Sequence, residues 1–138
     1  MSSRLRTVIV LPEIDVLLRA FSRQDPDPAA VATADKLIED RRLYMIGWVR
    51  QGLLTRVKDE RQFQRLLSAL APFPDIPITP ADHVMAASHT REMSERGINL
   101  LPAQALMWAM AERCGGLIWS QQTRWRRLER HGAPLYRS

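Results

Sequence analysis

Thr7-Val8-Ile9-Val10-Leu11 is five apolar or β-branched residues in a row, with no polar alternation, stopped by Pro12. A run of that kind suits a strand covered on both faces, the usual state of a central strand in a parallel sheet. Directly behind it, Ile14, Val16-Leu17-Leu18 and Phe21 fall at helical spacing and predict a helix reaching about residue 23. Strand followed at once by helix is the opening of an α/β chain.

The same alternation continues. Asp27 is a cap residue with Pro28 at the first helical position, so a second helix is predicted to about residue 40, with Val31, Ala34, Leu37 and Ile38 on one face. Residues 43–48, Leu-Tyr-Met-Ile-Gly-Trp, read as a second strand, and 49–56 as a short helix. Asp59, with Gln62 three residues on, resembles a capping box ahead of a helix that turns Phe63, Leu66, Leu67 and Leu70 inward. Pro72, Pro74 and Pro77 mark an irregular connection.

Thr79-Pro80-Ala81-Asp82 is a strong helix start, and Gly97 stops that helix. A further helix over 103–113 ends at Gly115-Gly116. Residues 117–119 give a third strand, 123–130 a basic helix, and Pro134-Leu135-Tyr136 an edge strand. The whole predicts a doubly wound, mostly parallel α/β sheet in one domain over 1–138, with no internal repeat or linker.

Bulk properties narrow the function classes. At 138 residues the chain suits one domain that needs neither disulfide nor structural metal. Cys114 is the lone cysteine, which excludes an intrachain disulfide and reads as a small buried apolar group. The start, Met1-Ser2-Ser3-Arg4-Leu5-Arg6, carries no secretory pattern, and no apolar stretch spans a bilayer. A cytoplasmic location without membrane attachment is expected. The net charge of +5 comes with only two lysines, Lys36 and Lys58, among the 20 basic residues. Arginine suits carboxylate and phosphate, so RNA or an acidic protein segment is permitted as partner.

Taken in order, four local patterns resemble the PIN domain, and within it the VapC-type toxins of bacterial toxin–antitoxin pairs. Glu13-Ile14-Asp15-Val16-Leu17-Leu18 is similar to the family's opening Asp-Thr-Asn-Val-Leu-Leu, and Val49 to Leu54 to its Val-x-x-Glu-Leu-Leu. Residues 91–97 with 104–111 resemble Arg-x-x-Gly followed by Asp-x-x-Ile-Ala-Ala-x-Ala. Residues 116–125 resemble the closing Gly-x-x-Leu-x-Thr-x-Asp-x-x-Phe. The resemblance implies a three-layer α/β/α fold with a short, mostly parallel central sheet. It implies Mg²⁺- or Mn²⁺-dependent RNA cleavage by four acids at the strand ends. It also implies an antitoxin-like partner and a homodimer.

The frame matches better than the chemistry. The four acid positions fall on Glu13, Gly52, Gln104 and Gln122, and only the first keeps a carboxylate, with Asp15 nearby. Loss of three ligand acids predicts weak or absent metal binding. The expectation is therefore a non-catalytic, RNA- or protein-binding relative with no cofactor. A divergent endoribonuclease using Glu13, Asp15 and a bound Mg²⁺ or Mn²⁺ is the alternative. Glu13 and Asp15 are read equally well as polar groups at the start of the first helix.

Several other residues have plainer readings. Asp82 is the third residue of a capping box, and Glu112 a solvated helix residue. His83 and His89, six apart, do not share a helix face, and His131 marks a helix end. Arg124, Arg126, Arg127 and Arg130 are a candidate nucleic-acid-binding set, or else a solvated face with Trp125 turned into the core. Trp108 is a candidate for filling part of the former metal cleft.

Overall fold

The computed structural model describes residues 7–137. The reading of residues 1–6 as free of a secretory signal lies outside them. Strand β1 (Val10–Pro12) pairs in parallel with β2 (Leu117–Trp119), placing Val10 opposite Leu117, Leu11 opposite Ile118 and Pro12 opposite Trp119. All three β1 residues are buried, as its unbroken apolar run requires. Isolated parallel bridges extend the pairing outward, Val10 to Leu43 and Met45 to Asp75 on one side and Ile118 to Leu135 on the other.

The helices are α1 (Ile14–Ala20), α2 (Pro28–Glu39), α3 (Gly47–Thr55), α4 (Glu60–Leu70), α5 (Pro80–Glu95), α6 (Pro102–Cys114) and α7 (Thr123–Glu129). The architecture is α/β, with seven helices and a small parallel sheet among the described residues. The three-layer arrangement expected from the resemblance is not part of that result.

Most predicted caps form. Asp27 accepts from Ala29 N–H ahead of Pro28, and Thr79 and Asp82 cap each other reciprocally. Gly97 and Gly115, at φ 76° and 62°, take the left-handed conformation that closes α5 and α6. Asp59 caps α4 through Arg61 N–H, whereas Gln62 completes no capping box.

Three local expectations need correction. The first strand sits later than 7–11, because Thr7 and Val8 are exposed and Pro12 belongs to the ladder. The first helix ends at Ala20 rather than near 23. Residues 43–48 do not form a strand: Leu43 and Met45 make single bridges, and Gly47 and Trp48 open α3. The short helix expected from residue 49 thus begins two residues earlier, with Val49 and Leu53, four apart, as its buried face.

The core centres on α6, where Ala105 and Met107 through Ala111 are all buried. A helix apolar on nearly every side belongs inside. The pairings Asp82–Arg113 and His89–Glu112 and the stacking of His89 on Trp108 tie α5 to α6. Trp108 is 1% exposed and stacks on His89 at 4.1 Å between ring centroids. Glu112 is therefore more than a solvated residue, since its Oε1 lies 2.7 Å from His89 Nε2.

Candidate functional site

The turn after β2 and the start of α1 are stitched together around two carboxylates. Glu13 N–H donates to the Trp119 carbonyl at 2.9 Å, which anchors the residue at the strand ends. Its Oε1 accepts from Trp125 Nε1 at 2.7 Å. Burial pushes the Glu13 carboxyl above the usual glutamate value, and the charge of Asp15 pushes the same way. Hydrogen bonds from Ser120 and Trp125 and the charge of Arg124 oppose that rise. Asp15 accepts from Gln121 N–H at 2.9 Å and from Ser120 Oγ at 3.4 Å, and Ser120 Oγ in turn accepts from Gln122 N–H at 3.1 Å.

The other matched positions lie around this knot with different roles. Gly52 sits on α3, where an added Cβ would stand 2.5 Å from Ile14 Cδ1, so it abuts the residue after Glu13. Gln122 is the N-cap of α7, with no side-chain capping bond. Gln104 is 5% exposed; its Oε1 accepts from Leu101 N–H at 3.1 Å, while its Nε2 has no partner among the described residues. No group of three or more His, Cys, Asp or Glu able to hold a metal occurs among the described residues.

The four arginines of the basic helix do not share one face. Arg124 and Arg127 line one cavity with Gln104. Arg126 lines another, with Trp119, Trp125 and Tyr136. Arg130 caps the helix end and is exposed. Trp125 is fully buried, as its inward reading requires.

A groove that sequence reasoning missed lies where the end of α1 meets the α3–α4 hairpin. It encloses about 400 Å³, with Phe21, Val57, Leu66 and Ala69 as apolar wall and Arg23 and Arg65 as charged residues; no acid lines it. The apolar stripe of α4 was visible in the sequence, although of its expected inward residues only Leu70 is buried, Phe63 and Leu66 are half-buried and Leu67 is exposed. Its meeting with Phe21 was not, because three separate elements build the groove.

These features define a class: an α/β chain with a small parallel sheet, an internally bonded carboxylate knot at the strand ends and arginine-lined cavities beside it. No protein-family profile matches the chain, and no curated protein matches it. Solved structures do. A chain of VapBC2 from Rickettsia felis, bound to a promoter DNA fragment, superposes with TM-score 0.73 at 12% identity, over 93% of this chain and 96% of that one. A chain of FitAcB from Neisseria gonorrhoeae gives TM-score 0.69 at 17% identity, over 83% and 88%. A toxin–antitoxin complex from Klebsiella pneumoniae gives 0.64 at 18%, again over 83% and 88%.

At such identities the likeness shows a shared fold. The assignment to the PIN family, VapC-type, is therefore corrected. No family profile supports it, FitAcB, VapBC2 and the Klebsiella pneumoniae toxin–antitoxin complex are matched in fold alone, and the named sheet has two strands among the described residues. Among the described residues no helix is long and apolar enough to cross a membrane.

Proposed function

We propose that this chain is a non-catalytic, protein-binding subunit of a toxin–antitoxin-type assembly, and that it takes an acidic amphipathic segment of its partner in the groove beside Phe21. The groove carries the reading. Its wall of Phe21, Val57, Leu66 and Ala69 suits the apolar face of a peptide, and Arg23 and Arg65 suit carboxylates along the edge. The absence of any lining acid makes the surface selective for an anionic partner. The fold shared with chains of toxin–antitoxin complexes supports the same reading.

The carboxylates support a role without catalysis. Glu13 is occupied by Trp125, and Asp15 by Gln121 and Ser120. A Mg²⁺ site needs free carboxylate oxygens in near-octahedral array, and internal hydrogen bonding competes with that use. Self-association as a homodimer belongs to this proposal and is read by sedimentation.

The test has two arms. The full chain is titrated with an acidic peptide bearing leucine and phenylalanine at helical spacing. Saturable binding weakened about tenfold or more by Arg65→Glu, a loss typical of a desolvated charge contact, supports the proposal. A mixed RNA pool is then incubated with the folded protein and Mn²⁺, with EDTA and Glu13→Ala as controls. Cleavage that needs both the metal and Glu13 overturns the non-catalytic reading, and Arg65→Glu binding as well as wild type overturns the groove.

A further inference from the structure

We infer that the cavity between the 97–101 segment and α7 is a binding site for a phosphate oxyanion. It is separate from the partner groove and does not rest on that reading. The cavity holds about 340 Å³, enough for a phosphate carried on a small organic group. Arg124 and Arg127 line it from α7, three residues apart and hence neighbours on the helix surface. Neither makes an ion pair among the described residues, although five other ion pairs do form there. No Asp or Glu lines the cavity. Glu13 is the nearby carboxylate that feels Arg124, and it is held by Trp125 outside the lining.

Gln104 is the second, independent observation. It lines the cavity at 5% exposure. The Leu101 N–H fixes which end of its amide is oxygen, so the partnerless end is the Nε2 donor. A buried amide N–H without an acceptor is unfavourable, and such a group calls for an explanation in the form of a water, an ion or a ligand. The start of α6 adds to it. Pro102 is the first helical residue and Leu101 offers no side-chain acceptor, so the first turn has no side chain to receive its backbone N–H groups.

Two guanidinium groups line the cavity, and a buried amide donor without an acceptor and a helix start adjoin it, with no acid among them. A phosphate, with two charges and three or more acceptor oxygens, meets that set better than a single carboxylate does. Ile98, Leu100, Leu101 and Leu128 form an apolar wall beside the donors, fit to hold the body of a nucleotide.

Isothermal titration of the full chain at low salt tests the site with two probes, inorganic phosphate and a nucleoside 5′-monophosphate. One saturable site is expected for at least the nucleotide. Equal affinities assign the recognition to the phosphate alone, and a preference for the nucleotide of about tenfold or more brings in the apolar wall. Arg127→Gln weakens binding about tenfold, the loss expected for one charge-assisted contact, while Arg126→Gln, on another side of α7, leaves it unchanged. Gln104→Glu places a carboxylate in the cavity and abolishes binding. The exposed arginine variants keep the test decisive should that buried change impair folding. Failure of both probes to saturate, Arg127→Gln binding as well as wild type, or equal losses in Arg126→Gln and Arg127→Gln would each overturn the site.

Discussion

Removing the Arg113 side chain isolates one carboxylate, so its effect can be worked through. Arg113 holds Asp82 with two hydrogen bonds, Nε to Oδ1 at 2.7 Å and Nη2 to Oδ2 at 3.0 Å, and Nη2 also reaches the Pro77 carbonyl at 2.8 Å. The Asp82 side chain is 2% exposed and that of Arg113 37%. The pair therefore lies between an exposed bridge, worth about 0–1 kcal/mol, and a buried one, whose breakage costs roughly 3–5 kcal/mol. After Arg113→Ala, Asp82 keeps Thr79 N–H at 2.8 Å but loses its counter-charge in a site closed to water. The expected loss is about 2–3 kcal/mol, or roughly 6–10 °C in Tm for a chain of this size. Urea unfolding followed by far-ultraviolet circular dichroism reads it as a lower midpoint at unchanged slope.

Proton linkage gives a second readout of the same pair. Hydrogen bonding to Arg113 is the largest influence on Asp82 and holds its carboxyl below the usual aspartate value of 3.8. The stability it confers is fully present above that value and is lost as pH falls through the lower folded value. Arg113→Ala should flatten that acid limb, and the double variant with Asp82→Asn should cost less than the sum of the singles. A loss within about 0.5 kcal/mol, the range of ordinary surface changes, would refute the placing of a buried charge at Asp82.

The remaining predictions concern other parts of the fold. Burial raises the Glu13 carboxyl above 4.5, so its contribution to stability is complete below that value and is lost as pH rises through the folded value. Glu13→Gln, which still accepts from Trp125, should gain on wild type as pH rises from 4 to 7; parallel pH profiles would rule this out. Gly116→Ala places a Cβ 2.8 Å from Ile9 Cγ1 and 3.1 Å from the Ile9 carbonyl, which accepts the Leu117 N–H of the ladder. It should cost about 1–3 kcal/mol by urea midpoint. His89→Ala removes the ring stacked on Trp108 and should cost about 1–3 kcal/mol, with red-shifted tryptophan emission as water reaches the indole.

Helix starts and stops were legible because their chemistry is local. Thr79 and Asp82 are three residues apart, and the hydrogen bonds that make them a cap involve nothing else. Gly115 likewise needs only its own left-handed φ. Where the short helix begins was not legible, because Tyr44 to Trp48 suits a strand by residue type, yet Gly47 and Trp48 already belong to the helix expected from residue 49. Glu13 could be singled out from sequence, but its partners could not. Trp125 lies 112 positions away, and no periodicity connects them. Separation in sequence likewise hid Gln104 from Arg124 and Phe21 from Leu66.

The arginines show what three dimensions add to a net charge. Some serve the fold itself: Arg50 donates to the carbonyls of Leu70 and Phe73 and pairs with Asp75, and Arg42 donates to the Val8 carbonyl while standing over Tyr136. Arg113 ties α6 to α5 in the same manner. Arg23 and Arg65, and separately Arg124 and Arg127, line cavities that contain no acid and make no ion pairs among the described residues. A charge of +5 spread evenly would give only diffuse attraction to polyanions, screened within about 8–10 Å at physiological salt. Gathered as two unpaired guanidiniums against apolar walls, the same charge can select an anion by shape.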